Sequence, residues 1–365
     1  MARGSKTEKR SRGGAAAAGS EANRKGARTT GKPTIGTILA PTDFSPESMR
    51  ALEYASLLLK LFRGTLHLVY VHETDYAYAV PAILTPPPVI SVDGIERYYQ
   101  AKLKKLATRY SPADAAVETH VKMGRAFDQV CKLADQIEAR LIVISTHGRT
   151  GLKRMFLGST AERLVQHARC PVFVVRERER DFADLQQSTD KKATSRKMKM
   201  LVPVDFSECS RQGLSYALSF ARPWNAEIIL LHTIQIQPFI EPSHYAAYDQ
   251  TPSLAAIERA AKGQMLKLVR KTEFGGVPYK TDIQIGRPAE QICQSAEDRE
   301  IDLIVVSTHG HTGLEHVLIG SVAEHVVRYA HCPVLVVPRA TKATHSETAG
   351  HTGVQEAASR RRKSA

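Results

Sequence analysis

Two stretches of this 365-residue chain set glycine, serine and histidine at spacings that could hold an anion. Ser145-Thr146-His147-Gly148 is followed, after nine residues, by Gly158-Ser159-Thr160. Ser307-Thr308-His309-Gly310 is followed, after nine residues, by Gly320-Ser321-Val322. Glycine lets backbone N–H groups approach an anion with no Cβ in the way. A Gly-Ser pair that opens a helix adds unsatisfied N–H groups and the positive end of the helix dipole, which suits phosphate. Each stretch is preceded by an acidic turn, Pro41-Thr42-Asp43-Phe44-Ser45 in one case and Pro203-Val204-Asp205-Phe206-Ser207 in the other. A carboxylate repels phosphate, so Asp43 is expected to accept hydrogen bonds from a sugar or base. Together these residues predict a mononucleotide with its base end near Asp43 and its phosphates near Gly158. Singly, each also has a plain structural role. Asp43 could cap a helix, Ser159 could be an N-cap, Gly151 and Gly313 could be turn glycines, and His147 and His309 could pack under the loop.

The elements that must position these residues occur twice. Ile144 to Val175 aligns with Val306 to Val337 at an offset of 162, with eighteen of thirty-two positions identical. The same offset pairs the two acidic turns, and Gly124-Arg125 with Gly286-Arg287. Three separated blocks in one register exclude a chance match, and a period of this length is a whole domain rather than a solenoid unit. Each copy alternates strand and helix patterns, which implies βαβ units and a mainly parallel sheet. In the first copy, strands are expected at Thr37 to Ala40, Thr65 to Val71, Ala116 to Val121, Leu141 to Ser145 and Val172 to Val175. Helices are expected from Pro46 to about Leu61, where Gly64 breaks the pattern, from Gly94 to Arg109, from Phe127 to Glu138, and from about Ser159. Residues 75–92 read as a proline-rich surface loop. The second copy runs from Met200 to Val337. A sheet that winds outward from its first strand one way and its fourth strand the other brings the acidic turn and the glycine loop together, at the carboxyl ends of the strands.

Net charge is +14, but it is concentrated at the ends. Residues 1–34 carry a net of +7 and residues 339–365 a net of +4, so the repeated core is nearly neutral. Both ends read as basic tails able to make weak, salt-sensitive polyanion contacts. Residues 177–198 are polar and mixed in charge and read as a linker. No stretch approaches the ~20 apolar residues of a membrane span and no signal-peptide pattern is present, so a cytoplasmic protein is expected. The five cysteines are odd in number and never form C-x-x-C, which argues against a disulfide framework and a zinc site. No metal-ligating or catalytic set is expected, and no P-loop pattern G-x-x-x-x-G-K-[ST] is present.

With these motifs the chain resembles a tandem pair of universal stress proteins. That family's late signature is a Gly, two residues, a Gly, nine residues, then Gly-Ser or Gly-Thr. It is matched here by Gly148, Gly158 and Ser159 and by Gly310, Gly320 and Ser321. The resemblance covers roughly residues 35–176 and 199–338. It implies an α/β fold of two Rossmann-like, doubly wound domains, each a five-stranded parallel sheet in order 3-2-1-4-5 with helices on both faces. It also implies a bound adenine nucleotide, ATP or else AMP or ADP, which Mg2+ could accompany. The nucleotide-binding set it implies in the first copy is Pro41, Thr42, Asp43, Val71, Ile144, His147, Gly148, Gly158, Ser159 and Thr160. In the second copy the set is Pro203, Val204, Asp205, Thr233, Val306, His309, Gly310, Gly320, Ser321 and Val322. Family members pair through their last strands. The apolar edges Val172 to Val175 and Val334 to Val337 are therefore expected to join within one chain, with a further homodimer left open. The chain departs from the signature where its first glycine is replaced by Ser145 and Ser307, which keeps open a nucleotide-free interaction module. The basic Arg149, Lys153 and Arg154 of the first loop become His311, Glu315 and His316 in the second, so the first copy is expected to bind ATP more tightly. An adenylating enzyme is disfavoured, because PTDFS and PVDFS replace the glycine-rich turn of those proteins.

Overall fold

A computed structural model describes residues 35–73, 92–112, 115–146, 157–176, 197–235, 253–310 and 319–339. The basic tails, residues 177–196 of the 177–198 linker, the proline-rich loop, and His147, Gly148, Gly151 and Gly313 lie outside the described residues. The first repeat contains β1 (Thr37–Pro41), α1 (Pro46–Phe62), β2 (Thr65–His72), α2 (Val92–Tyr110), β3 (Ala116–Met123), α3 (Ala126–Gln136), β4 (Leu141–Ser145), α4 (Ser159–His167) and β5 (Val172–Val175). The second contains β6 (Lys199–Pro203), α5 (Glu208–Trp224), β7 (Glu227–Ile234), α6 (Leu254–Lys271), β8 (Tyr279–Ile285), α7 (Pro288–Asp298), β9 (Leu303–Ser307), α8 (Ser321–Tyr329) and β10 (Val334–Val337). Every expected element is present, with ends shifted by a residue or two where the chain leaves the core.

Local chemistry sets these boundaries. The Ser45 hydroxyl accepts the Ser48 N–H at 3.2 Å, with Pro46 in the first helical turn, so α1 starts where its free donors find an acceptor. At its end Arg63, not Gly64, takes the positive φ, at 49°. Gly64 is required for closeness instead, since a Cβ there would lie 1.9 Å from the Gly36 carbonyl oxygen that accepts the Thr65 N–H. The Gly-Arg pairs serve a different turn. Gly124 and Gly286 adopt φ 123° and 148°, a region closed to other residues, as each donates its N–H to the end of the paired strand, at His72 of β2 and Ile234 of β7.

The strands form one ten-stranded sheet in the order β3-β2-β1-β4-β5-β10-β9-β6-β7-β8. Each repeat is thus a parallel five-stranded unit in the order 3-2-1-4-5 implied by the resemblance. The units join through β5 and β10, which pair antiparallel with Phe173 opposite Leu335. Helices cover both faces. One core layer holds residues of α1, α2, α5 and α6, among them Leu52, Leu103, Phe220 and Met265. The other holds residues of α3, α4, α7 and α8, among them Leu133, Leu164, Ile292 and Val326. Both layers run across the seam, where Phe173 packs against Tyr54 at 5.6 Å and against Phe220 of the other repeat at 6.4 Å between ring centroids. No described helix is long and apolar enough to cross a membrane.

Phe173 is fully buried at the point where the repeats meet, so Phe173→Ala removes a large side chain that both halves share. The expected loss is about 3–5 kcal/mol in urea denaturation. The cysteines lead to a second expectation. Burial pushes the Cys131 and Cys293 thiols up to about 11 and the Cys170 thiol up to about 12. Thiolate, the reactive form, is therefore scarce at pH 8 and rises only as pH climbs toward those values. A disulfide-exchange reagent at pH 8 should modify these thiols roughly a hundredfold more slowly in the native protein than in the unfolded chain.

Candidate functional site

The turn after β1 is built by its own side chains. The Thr42 N–H donates to the Val69 carbonyl, tying the turn to β2 at 2.9 Å. The Thr42 hydroxyl oxygen accepts the Phe44 N–H at 3.0 Å and meets the Ser48 hydroxyl at 3.0 Å. Asp43 Oδ1 accepts both the Ser45 N–H at 3.0 Å and the Ser45 hydroxyl at 2.5 Å. Asp43 therefore orients the cap residue and does not cap α1 directly. Between them Phe44 sits at φ 64°, and Phe206 of the second repeat at φ 65°. A left-handed aromatic residue is strained, and side-chain contacts compensate. The Phe44 ring lies 5.1 Å from Tyr70 and 5.9 Å from Tyr99, and Phe206 lies 4.4 Å from His232.

Behind this turn is a cavity of about 490 Å³, bounded by the ends of β1, β2 and β4 and by the start of α4. Pro41, Thr42, Asp43, Val71, Ile144, Gly158, Ser159 and Thr160 all line it, as does Ser145. The fold thus brings together every described member of the first-repeat set, while His147 and Gly148 lie outside the described residues. The basic Arg149, Lys153 and Arg154 and their counterparts His311, Glu315 and His316 are likewise outside them. Sequence reasoning missed the aromatic wall of Tyr70, His72 and Tyr99. Tyr70 and Tyr99 stack at 3.9 Å, though Tyr99 comes from the helix expected over 94–109, to which sequence reasoning gives no part in the site. The Tyr98-Tyr99 pair in that helix was the available signal.

Gly158, not Ser159, is the N-cap of α4, and no side chain caps this end. The Gly158 N–H already donates to the Thr146 carbonyl at 2.7 Å. The donors this helix can offer to the cavity are then the N–H groups of Ser159, Thr160 and Ala161, which have no acceptor within the helix. The contribution of Gly158 is shape rather than a hydrogen bond.

The second repeat places its set at equivalent strand ends: Pro203, Val204 and Asp205 after β6, Thr233 on β7, Val306 on β9, and Gly320, Ser321 and Val322 at the start of α8. Asp205 Oδ1 accepts the Ser207 N–H at 3.0 Å, and the Gly320 N–H donates to Thr308 at 2.7 Å. Here the glycine loop closes on the acid, since a Cβ on Gly310 would lie 2.8 Å from Asp205 Oδ2. The Ser307 hydroxyl, where the signature has glycine, donates to the His309 carbonyl at 3.0 Å, and the Thr308 hydroxyl meets His309 Nδ1 at 2.9 Å. The serine is accommodated by turning inward to brace its own loop.

The model of the universal stress protein family matches residues 34–176 and again residues 198–338. The chain belongs to the universal stress protein family. It carries two tandem universal stress protein domains. It is 34% identical over 144 residues to universal stress protein MJ0531 of Methanocaldococcus jannaschii, an alignment that covers 40% of this chain and 84% of that one. Across both domains it is 25% identical over 322 residues to universal stress protein Rv2623 of Mycobacterium tuberculosis, covering 84% of this chain and 98% of the relative. In three dimensions it is similar to the crystal structure of a universal stress protein from Archaeoglobus fulgidus. The TM-score is 0.59 at 20% identity, over 84% of this chain and 99% of the other, a likeness of fold.

Because Ser45 both caps α1 and donates to Asp43, Ser45→Ala should lower stability by about 1 kcal/mol in chemical denaturation.

Proposed function

We propose that this tandem universal stress protein, with domains over residues 35–176 and 199–338, is a stress-response or regulatory protein that holds ATP or another adenine nucleotide. The observation that carries the reading is the first-domain cavity. It opens between a turn that presents Asp43 and a helix start that presents the N–H groups of Ser159, Thr160 and Ala161. Hydrogen-bond acceptors suit ribose hydroxyls or the adenine amino group, and the helix start suits phosphate. The stacked Tyr70 and Tyr99 give the nucleoside end an aromatic wall. Mg2+ would enter with the phosphates. We assign the protein slow hydrolysis at most.

The second domain supports a weaker site. Gly310 lies against Asp205 and the Ser307 hydroxyl is engaged within its loop, so a ligand must compete with contacts already made. Those same contacts favour a second reading for that domain, as a nucleotide-free module that acts through pairing.

Native mass spectrometry of the purified full-length protein should find co-purified ATP, ADP or AMP. In calorimetric titration with ATP, Asp43→Ala should weaken binding by roughly tenfold to a hundredfold, the value of hydrogen bonds to a charged acceptor. Asp205→Ala should change the first, tighter event little. Absence of any bound or titratable nucleotide would leave the interaction module as the function, and equal filling of both domains would contradict the ranking.

A further inference from the structure

The edge of the first domain carries a group of side chains that the nucleotide cavity does not use. His67 is the third residue of β2, and Glu118 and His120 are alternate residues of the edge strand β3. In the parallel register His67 stands opposite Glu118, and His120 opposite Val69. Alternation along a strand therefore puts all three on one face of the sheet. His67 Nδ1 lies 3.0 Å from His120 Nε2 and 3.5 Å from Glu118 Oε2, and the last two atoms are 3.9 Å apart. The circle through these three atoms has a radius of about 2.0 Å, the bond length of zinc to imidazole nitrogen and carboxylate oxygen.

We propose that His67, Glu118 and His120 form a divalent transition-metal site of the Zn2+ class, which ties the edge strand β3 to β2. Two imidazoles and one carboxylate are borderline ligands that suit Zn2+ better than Mg2+ or Ca2+, which prefer oxygen. Three protein ligands leave a fourth position for water on the open side, where Glu118 is 60% exposed. Without a metal, a single N–H joins His67 Nδ1 to His120 Nε2, with the donor set by the tautomer, and Glu118 faces solvent. With both N–H groups on the outward nitrogens, the same two inward nitrogens offer lone pairs to a cation. Burial holds both imidazoles below their ordinary value, against the opposing pull of Glu118. Lys122, two residues along β3, is a nearby cation whose field also acts on His120.

The other repeat provides an internal comparison. At the offset of 162, Ile229, Lys280 and Asp282 replace His67, Glu118 and His120. Ile229 is as buried as His67, at 3% against 6% exposed, so the position accepts an apolar side chain. Lys280 pairs with Glu227 at 2.9 Å, and Asp282 with Arg299 at 2.5 Å. One edge is closed by ion pairs, whereas the other buries an imidazole where isoleucine would fit. The absence of C-x-x-C argued against zinc in the sequence, but this set needs no cysteine. Its members come from two strands, and only the sheet register assembles them.

The test uses the full chain without an affinity tag, stripped with chelator and titrated with ZnCl2, with CoCl2 as the spectroscopic probe. The wild type should bind one equivalent of Zn2+, give the visible absorption of low-coordinate Co2+, and melt at a higher temperature with Zn2+ than with chelator. His120→Ala and Glu118→Gln should each weaken Zn2+ binding by roughly tenfold or more. His67→Ile should abolish it while leaving the melting temperature in chelator undiminished, because the second domain already packs isoleucine there. The proposal is overturned if the wild type takes up no Zn2+, or if His120→Ala and Glu118→Gln bind it as tightly as the wild type. None of these readouts involves nucleotide, so the result stands apart from the ATP reading.

Discussion

The antiparallel pairing of β5 with β10 is the contact on which the rest of the molecule depends. Each of these strands would otherwise be the outer edge of a five-stranded sheet, four apolar residues long and open to aggregation. Pairing satisfies their backbone groups and buries Val172–Val175 and Val334–Val337 on both faces. It also makes the two core layers continuous, so that Phe173 of one repeat packs on Phe220 of the other. Because the strands run antiparallel, the two halves are related like the subunits of a twofold dimer, and covalent linkage makes this pairing intramolecular. The apolar character of these strands is therefore a requirement of the seam.

With the seam closed, the carboxyl ends of β1, β2 and β4 are left to the site. The turn after β1 shows how much local structure is invested there. Phe44 and Phe206 both occupy a left-handed conformation that an aromatic residue adopts at a cost. In each repeat the Asp before it accepts the N–H of the Ser after it, and that Ser caps the next helix. The strain is thus held by a short, closed set of hydrogen bonds that fixes the direction of the carboxylate. The helix start across the cavity is arranged in the opposite way. Its capping glycine has no side chain, and three N–H groups are left for whatever occupies the cavity.

Duplication gave the two halves the same backbone and let their side chains diverge. The divergence follows the physics of each position. Inside the sheet, exchanges such as Leu66 for Ile228 preserve volume, because a packed interior tolerates little else. At the outer edges, His67, Glu118 and His120 stand against Ile229, Lys280 and Asp282, two different ways of securing a terminal strand pair. At the glycine loops, Gly310 rests on Asp205. Equivalent frames therefore carry inequivalent surfaces, and the two domains need not share a ligand.

Much of this was legible in the sequence because it is set by neighbours along the chain. The duplication shows as a match at one offset, while the strand and helix periods and Ser45 with Pro46 as a helix start depend on residues within a few positions of one another. The acidic turn and the Gly158-Ser159 loop were legible as well, since each is a short run of neighbouring residues repeated at the same offset. The tertiary structure alone decided what depends on register and on contact between distant segments. It placed Tyr99 from a charged helix against Tyr70, and gave the Gly158 N–H to Thr146 rather than to a ligand. It also aligned His67 with Glu118 and His120 across fifty residues of chain. A strand's sequence states which side chains share a face, but its partner and register are fixed only when the whole sheet closes.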